Sequence, residues 1–313
     1  MTEAIRELPD ALVLGAGGTL GEAWLRGVLG GLEAGAGLDF RACEYLLGTS
    51  AGSIVAAALA GGKRPEAGER AAREWAHAAA LPEAVGDAGA HASSNPLGVV
   101  GRGAARFGRA VATPLAPLAL ATTAPAGRLA RAAVLSRAPR PERTLGDLGG
   151  AIDALDPRFD GRLRIFAVDR ASGRRVSFGA PDAPRATVAQ AVLASCAVPW
   201  IFAPVEIGGR EYVDGGVWSP TNLDAVPAGR GSRVLCLVPT AGSALTALSR
   251  VSVAAAGYEG MALSARGVEV RTVVPDEASL AAIGPDLMNP RRRAAVAAAG
   301  YAQGRHLSAE RTS

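Results

Sequence analysis

Hydrophobic and polar positions near the start of the chain predict a buried strand followed by a helix. Residues 11–14 form a short, wholly apolar run of strand length that leads directly into the glycine-rich loop 15–21. After that loop, apolar residues recur at helical spacing from Ala23 to Leu32, and the glycines at 35–37 end the helix. The pattern therefore predicts strand, glycine loop and helix in succession.

The same arrangement repeats one step further along the chain. A second apolar run at 45–47 leads into the sharp turn 48–52, and residues 54–60 are helical in character up to Gly61 and Gly62. Strands that alternate with helices are typical of α/β proteins with a parallel sheet.

Strand patterns return in the second half of the chain, without an internal repeat or a second core. The predicted strands are 162–168, 174–178, 234–238 and 268–274, with a hairpin at 205–213 and helices at 188–195 and 291–303. The predicted fold class is α/β, a three-layer sandwich with a mainly parallel central sheet.

The stretch from about residue 63 to 150 has a different character. It is rich in alanine, helical in propensity and interrupted by prolines, and it has no clear strand pattern. We therefore expect one domain over 1–313 that carries a helical cap or insertion at about 63–150.

Composition narrows the class of protein. The three cysteines are widely spaced and odd in number, which favours neither disulfides nor a zinc site, so we expect no metal and no cofactor. The net charge is only +4, and the basic residues form no cluster with interleaved aromatics, which argues against a nucleic-acid partner. The start of the chain is polar and no charge-free apolar span is long enough to cross a bilayer, so we expect a cytoplasmic protein.

The turn 48–52 contains the candidate nucleophile. It reads Gly-x-Ser-x-Gly, with Ser50 between Gly48 and Gly52, after an apolar strand and before a helix. A serine on such a turn is held in a strained conformation with its hydroxyl presented, and small neighbours are needed to avoid collisions. The helix that follows also directs N–H groups towards a developing oxyanion.

The loop 15–21 can be interpreted in three ways. A dinucleotide-binding loop would need a third glycine where Leu20 stands, and an acidic residue where the serine turn stands, so a nicotinamide or flavin oxidoreductase is the weaker alternative. A second interpretation of the loop is a glycine turn that is needed only for close helix–sheet packing. We favour an oxyanion hole in which backbone N–H groups donate to the reacting carbonyl. Its expected donors are Gly17, Gly18 and Thr19.

Asp214 ends an alternating strand and is followed by Gly215 and Gly216. Alone, it would be an ordinary turn aspartate. Together with the serine turn and the glycine loop, it becomes a candidate functional residue.

These three motifs, in this order, resemble the patatin-like phospholipase family, especially its bacterial members. The supporting stretches 194–199 and 219–222 also look like that family, and the resemblance covers roughly 11–62 and 160–304. It implies a Ser50–Asp214 dyad that hydrolyses lipid acyl esters through an acyl-enzyme. The motif glycines that it assigns are Gly15, Gly21, Gly48, Gly52, Gly215 and Gly216.

One position departs from the family pattern. Members usually carry arginine or lysine where this chain has Leu20, and the loop begins Gly-Ala-Gly-Gly rather than with three glycines in a row. A low-activity or regulatory lipid-binding protein is therefore an alternative to an efficient enzyme.

A Ser–Asp–His triad is a further alternative. The order Ser50, Asp214, His306 formally matches an α/β-hydrolase, but His306 lies close to the end of the chain. The other histidines, His77 and His91, fall in the expected cap.

The same cap suggests a partner. Residues 101–145 contain eight arginines against one carboxylate, Glu142, and they surround the apolar run 111–120. This combination suits peripheral docking on an anionic membrane surface, to which each basic residue adds about 1 kcal/mol. A solvated helical cap is the plainer alternative.

Overall fold

The computed structural model describes residues 4–65, 127–242 and 246–309. A mixed sheet of eight strands runs through these residues. The strands are β1 (Ala11–Leu14), β2 (Tyr45–Thr49), β3 (Leu163–Asp169), β4 (Arg175–Phe178), β5 (Val205–Ile207), β6 (Arg210–Asp214), β7 (Arg233–Leu237) and β8 (Glu269–Val273). The helices are α1 (Gly18–Ala36), α2 (Ala51–Ala60), α3 (Arg128–Arg137), α4 (Gly146–Asp153), α5 (Val188–Cys196), α6 (Thr246–Ser264), α7 (Glu277–Ile283) and α8 (Arg293–Ser308).

The sheet is mostly parallel, as predicted. Its order is β5-β6-β3-β2-β1-β7-β8, and β4 pairs with β3. The central pairs β3–β2, β2–β1, β1–β7 and β7–β8 are parallel, whereas β4, β5 and β6 pair antiparallel. Short loops therefore suffice within the antiparallel part, whereas each parallel step needs a crossover helix.

Alternate residues of the central strands enter two separate cores. In β1, Leu12 and Leu14 belong to one core, and Ala11 and Val13 belong to the other. Side chains of α1, α2, α4, α5 and α8 complete the first core, and side chains of α6 complete the second. Because successive strand residues point to opposite faces, helices cover both sides of the sheet. The predicted three-layer sandwich is confirmed.

Helix α1, which begins in the glycine loop, is packed unusually closely against α8. A Cβ atom on Gly27 would come within 2.3 Å of a carbonyl oxygen of α8, and one on Gly31 within 2.2 Å. Trp24 donates its indole N–H to Gln303 at 2.9 Å, and the buried Glu22 pairs with arginines of both helices. Contacts along its whole length therefore fix the direction of α1.

The predicted strands agree with the structure to within one or two residues, but α6 and α7 were not predicted. Helix α6 has apolar residues on its solvent side, including Val253, Tyr258 and Met261, so its sequence has no clean amphipathic period. Helix α7 has only seven residues and is preceded by Asp276, whose side chain accepts a capping hydrogen bond from the N–H of Ser279.

Most of the expected cap, residues 66–126, lies outside the described residues. Of its described part, Leu148 and Ile152 on α4 belong to the first core, and Leu135 on α3 packs beside β3 and β6. The helix pattern in this part of the chain is thus integrated with the α/β core.

The arginine-rich segment is only partly available for docking on a membrane. Arg131 is fully buried, with its guanidinium 4.4 Å from the ring centre of Trp218, and Arg140 pairs with Glu211 at 2.8 Å. Arg131 therefore belongs to the protein interior, whereas the Arg140 side chain is 64% exposed and remains at the surface. In the described ranges, no helix has both the length and the hydrophobicity needed to cross a membrane. Of the eight arginines at 101–145, Arg102, Arg106 and Arg109 lie outside the described residues.

Candidate active site

Ser50 occupies the sharp turn between β2 and α2. Its backbone has φ 51° and ψ −119°, a conformation that few non-glycine residues adopt and that costs on the order of 1–3 kcal/mol. The N–H of Ser50 donates to the Ser195 hydroxyl at 2.9 Å, which helps to hold the strained turn. Ser50 is 8% exposed, at the N-terminus of α2.

The glycines that flank Ser50 are required by space. A Cβ atom on Gly48 would lie 2.5 Å from the Cα of Ser53, one turn into α2. On Gly52 it would lie 2.0 Å from the carbonyl oxygen of Leu14, the last residue of β1. The Gly-x-Ser-x-Gly pattern therefore allows the serine turn to pack directly on the neighbouring strand.

Sheet register brings Asp214 next to this turn. One edge of β3 is occupied by β4, which pairs with both Phe166 and Ala167. On the other edge, Phe166 pairs with Thr49 and Ala167 pairs with Asp214. Because consecutive strand residues are about 3.3 Å apart, Asp214 follows directly where β2 turns away at Ser50.

The carboxyl group of Asp214 is buried, and its pKa is raised from 3.8 to about 6. Burial is the main cause because it disfavours the charged form, while hydrogen bonds from the Ser50 side chain and the Gly216 N–H oppose it. The Gly216 N–H lies 2.7 Å from Oδ1 of Asp214. The result is a carboxylate at neutral pH that is a stronger base than an exposed aspartate.

The glycine loop presents free backbone donors beside these residues. The N–H groups of Gly15 and Ala16 are used, since they donate to carbonyl oxygens of Leu237 and Pro220 at 3.0 and 2.8 Å. Gly216 also approaches the loop, because a Cβ on it would lie 3.7 Å from the Cβ of Ala16.

The next three N–H groups of the loop, unlike those of Gly15 and Ala16, are unused in the described part of the chain. Those of Gly17, Gly18 and Thr19 donate to no acceptor within the described ranges. They begin α1, whose dipole adds positive potential at this end. The three predicted oxyanion donors are thus grouped at one helix start.

Residues far away in the sequence shape this loop. Pro239 contacts it so closely that a Cβ on Gly17 would lie 2.7 Å from the proline ring and one on Gly21 3.0 Å. Gly18 has φ 62°, and a Cβ on it would lie 2.7 Å from Sδ of Met288. The glycines therefore permit both the left-handed turn and its coverage by Met288.

A buried amide, not identified from the sequence as functional, joins the segments of Ser50 and Asp214. Asn222 donates to Oγ1 of Thr49 at 3.1 Å, to the carbonyl of Ser219 at 2.8 Å and to that of Gly215 at 3.5 Å. Thr49 precedes Ser50, and Gly215 follows Asp214. The stretch 219–222 had been noted only for its resemblance to a family.

The stretch 194–199 also contributes to the site. Ser195 accepts the N–H of Ser50, and the carbonyl of Ala197 accepts the N–H of Asp214 at 3.0 Å. Cys196 lies between them, and burial raises the pKa of its thiol, which therefore stays neutral. This segment supports the backbones of both candidate catalytic residues.

The histidine alternative is not supported by the geometry. His306 is exposed near the end of α8, where its neighbours Arg305 and Ser308 lie against Ala34 and Gly35 at the far end of α1. At 1.5 Å per residue, that end lies about 24 Å from the glycine loop, far beyond hydrogen-bond distance of Ser50. His77 and His91 lie outside the described residues.

Other possible ligand sites are weaker. A shallow groove of about 580 Å³ lies between α7 and α8, lined by alanines with Arg291 and Arg292, and no residue of the serine site lines it. The described residues contain no group of three or more histidine, cysteine or acidic side chains placed to hold a metal ion. The convergence of Ser50, Asp214 and the glycine loop remains the best candidate site.

Comparison with known proteins identifies the family of the chain. A family model described as patatin-like phospholipase matches residues 12–227, more than half of the chain. The protein therefore belongs to the patatin-like phospholipase family. A search among curated proteins gives no match.

Two solved structures are similar to the chain. VipD from Legionella pneumophila has 16% identity and a TM-score of 0.42, over 96% of this chain and 67% of that one. The ExoU–SpcU heterodimer of the type III secretion system of Pseudomonas aeruginosa has 22% identity and a TM-score of 0.37, over 96% and 52%. The chain thus spans about half the length of the second protein.

Proposed function

We propose that the protein is a serine lipid acyl hydrolase in which Ser50 is the nucleophile and Asp214 its base. The observation that carries this proposal is the convergence of a strained serine turn, a buried carboxylate and unused N–H groups at one edge of the sheet. Each group supplies a different requirement of acyl transfer, namely attack, proton removal and stabilisation of negative charge.

In the first half-reaction, the Ser50 hydroxyl attacks the ester carbonyl as its proton passes to the Asp214 carboxylate. The tetrahedral oxyanion accepts hydrogen bonds from the N–H groups of Gly17, Gly18 and Thr19. Collapse breaks the bond to the alcohol, which takes the proton from Asp214. Water then attacks the acyl-enzyme and gives a proton to Asp214. The bond between the acyl carbon and the Ser50 oxygen breaks, Ser50 takes that proton from Asp214, and the fatty acid leaves.

An apolar cluster lies beside the strand that ends at Asp214. Trp200 and Trp218 are partly buried and pack against Val213 and Val217, which flank the catalytic aspartate. Ile201, next to Trp200, is 37% exposed. The lipid substrate itself is inferred from membership of the patatin-like phospholipase family.

Leu20 bears on how active the enzyme is. Its side chain is fully buried in the first core, and its N–H donates to the carbonyl of Leu287 at 2.9 Å. A backbone hydrogen bond therefore anchors the loop where relatives carry a cation. This anchoring favours an active enzyme over the low-activity or regulatory lipid-binding alternative.

A fluorophosphonate probe provides the direct test. We expect covalent labelling of the native protein and none of Ser50→Ala, with hydrolysis of long-chain esters lost in parallel and unaffected by a chelator. A native protein that binds lipid but is not labelled would instead support the regulatory alternative. Co-sedimentation with anionic vesicles at low salt tests the peripheral membrane contact separately.

A further inference from the structure

A buried carboxylate behind the site has no part in the reaction proposed above. Glu259 lies on α6, on the face that packs against the sheet, and is 7% exposed. Its Oε2 accepts the Thr221 hydroxyl at 2.5 Å and the Leu223 N–H at 2.8 Å. Burying an ionisable group is costly unless it forms strong hydrogen bonds, so this arrangement constrains the segment that it contacts.

The residue between those two partners is Asn222. It adopts a left-handed conformation, with φ 51°, which asparagine tolerates but which still requires support. Glu259 supplies that support by fixing the residues on both sides. The Ser219 hydroxyl adds to it by accepting the N–H groups of Thr221 and Asn222 at 3.2 and 3.0 Å.

Asn222 is, in turn, the side chain that joins the two catalytic segments. Its amide contacts Thr49 beside the nucleophile and Gly215 beside the base. A small rotation of this amide would break both contacts together. The distance between Ser50 and Asp214 thus depends on a buried group two contacts away.

We propose that Glu259 and Asn222 are positioning residues of the dyad, with Glu259 fixing the left-handed turn whose amide sets the spacing of Ser50 and Asp214. This inference rests on the proposed function. It goes beyond the residues matched by the family model, which end at 227, because Glu259 lies on a helix outside that range.

Three variants and one control test the proposal. Glu259→Ala removes the acceptor, Glu259→Gln keeps an acceptor oxygen of the same reach, and Thr221→Val removes one hydroxyl at nearly constant volume. Tyr258→Ala is the matched control, because Tyr258 neighbours Glu259 on α6 but is 68% exposed. Steady-state rates are divided by the concentration of sites that a fluorophosphonate titrates.

We expect Glu259→Ala to lower kcat per titrated site about 10- to 100-fold with KM nearly unchanged, as for a displaced catalytic group. Glu259→Gln should recover most of that loss, Thr221→Val should show a smaller loss, and Tyr258→Ala should match the native protein. If Glu259→Ala does not fold, Thr221→Val carries the test.

The pH profile separates positioning from a purely structural role. Because the Ser50 hydrogen bond lowers the pKa of Asp214, moving the two apart should shift the acidic limb of kcat/KM to higher pH. Two titratable groups lie nearest Glu259. They are Asp224, which forms an ion pair with Arg175, and the buried thiol of Cys236.

The outcomes are distinguishable. An active native enzyme whose Glu259→Ala and Thr221→Val variants keep its kcat and its acidic limb would overturn the positioning role alone. A native protein without labelling or hydrolysis would overturn the proposed function, and this inference with it.

Discussion

Residues 12–227 and residues 228–309 contribute to the same site in different ways. The first region supplies the groups proposed to react, Ser50 and Asp214, from short motifs at strand ends. The second region supplies contacts behind them, including Pro239 against the glycine loop and Glu259 behind the Asn222 turn.

The comparison shows that the two regions follow different physical rules. Reacting groups need specific residue types at a specific spacing, because a strained turn or a row of N–H groups exists only with particular neighbours. Supporting contacts need only a carbonyl, a ring or a carboxylate at the right place. The first kind of residue therefore forms a motif, whereas the second kind does not.

Removal of the proposed base, which belongs to the first region, should give the largest loss of activity. Asp214→Asn should lower kcat/KM on the order of 10³–10⁴-fold, because the amide cannot take the serine proton. The variant should nevertheless be more stable than the native protein at pH 8. Steady-state kinetics and thermal unfolding at two pH values measure the two effects.

The sign of that stability effect follows from the raised pKa. The pKa of Asp214 is about 6 in the folded protein against 3.8 for an exposed aspartate, so burial of the charged form destabilises the fold above about pH 6 and not below pH 4. The difference corresponds to about 3 kcal/mol at most. A stability gain that is as large at pH 4 as at pH 8 would contradict this account.

A substitution in the glycine loop should give the next largest loss of activity. Gly18→Ala should lower kcat on the order of 10²–10³-fold, since the new methyl group meets Met288 and displaces the oxyanion donors. Gly37→Ala is the matched control, because Gly37 also has a positive φ of 69° but nothing within 4 Å. Both variants carry backbone strain, and only Gly18→Ala should lose activity beyond its loss of stability.

Protonation of Asp214 should give a smaller, graded effect. With a pKa of about 6 for Asp214, kcat/KM should fall about tenfold per pH unit below pH 6 and level off above it. A pH–rate profile with a stable ester substrate measures this. An acidic limb near pH 4 would indicate a solvated aspartate.

Met288 should give the smallest effect, from the supporting region. Met288→Ala should lower kcat about three- to tenfold, because the methionine that packs on Gly18 and accepts the Thr19 hydroxyl would be lost. Met288→Leu keeps the volume and should stay near the native rate. Equal losses in the two variants would show that the sulfur contact, rather than packing, matters.

Much of the fold could be predicted because local patterns specify it. Two-sided burial makes β1 and β2 continuous apolar runs, and the contacts that require Gly48 lie within one strand–turn–helix unit. Helix α6 could not be predicted in the same way, because its solvent side carries Tyr258 and Met261. A helical period in hydrophobicity appears only where a helix has one buried apolar face and one polar face.

By itself, the sequence determined the strand, sharp turn and helix around Ser50, the glycine loop before α1 and the strand that ends at Asp214, because local patterns specify these elements. Only the tertiary structure decided that Asp214 follows Thr49 along one edge of β3, and that Glu259 lies behind Asn222. Those contacts join residues more than 30 positions apart, and strand order and helix packing, which no local pattern specifies, bring them together.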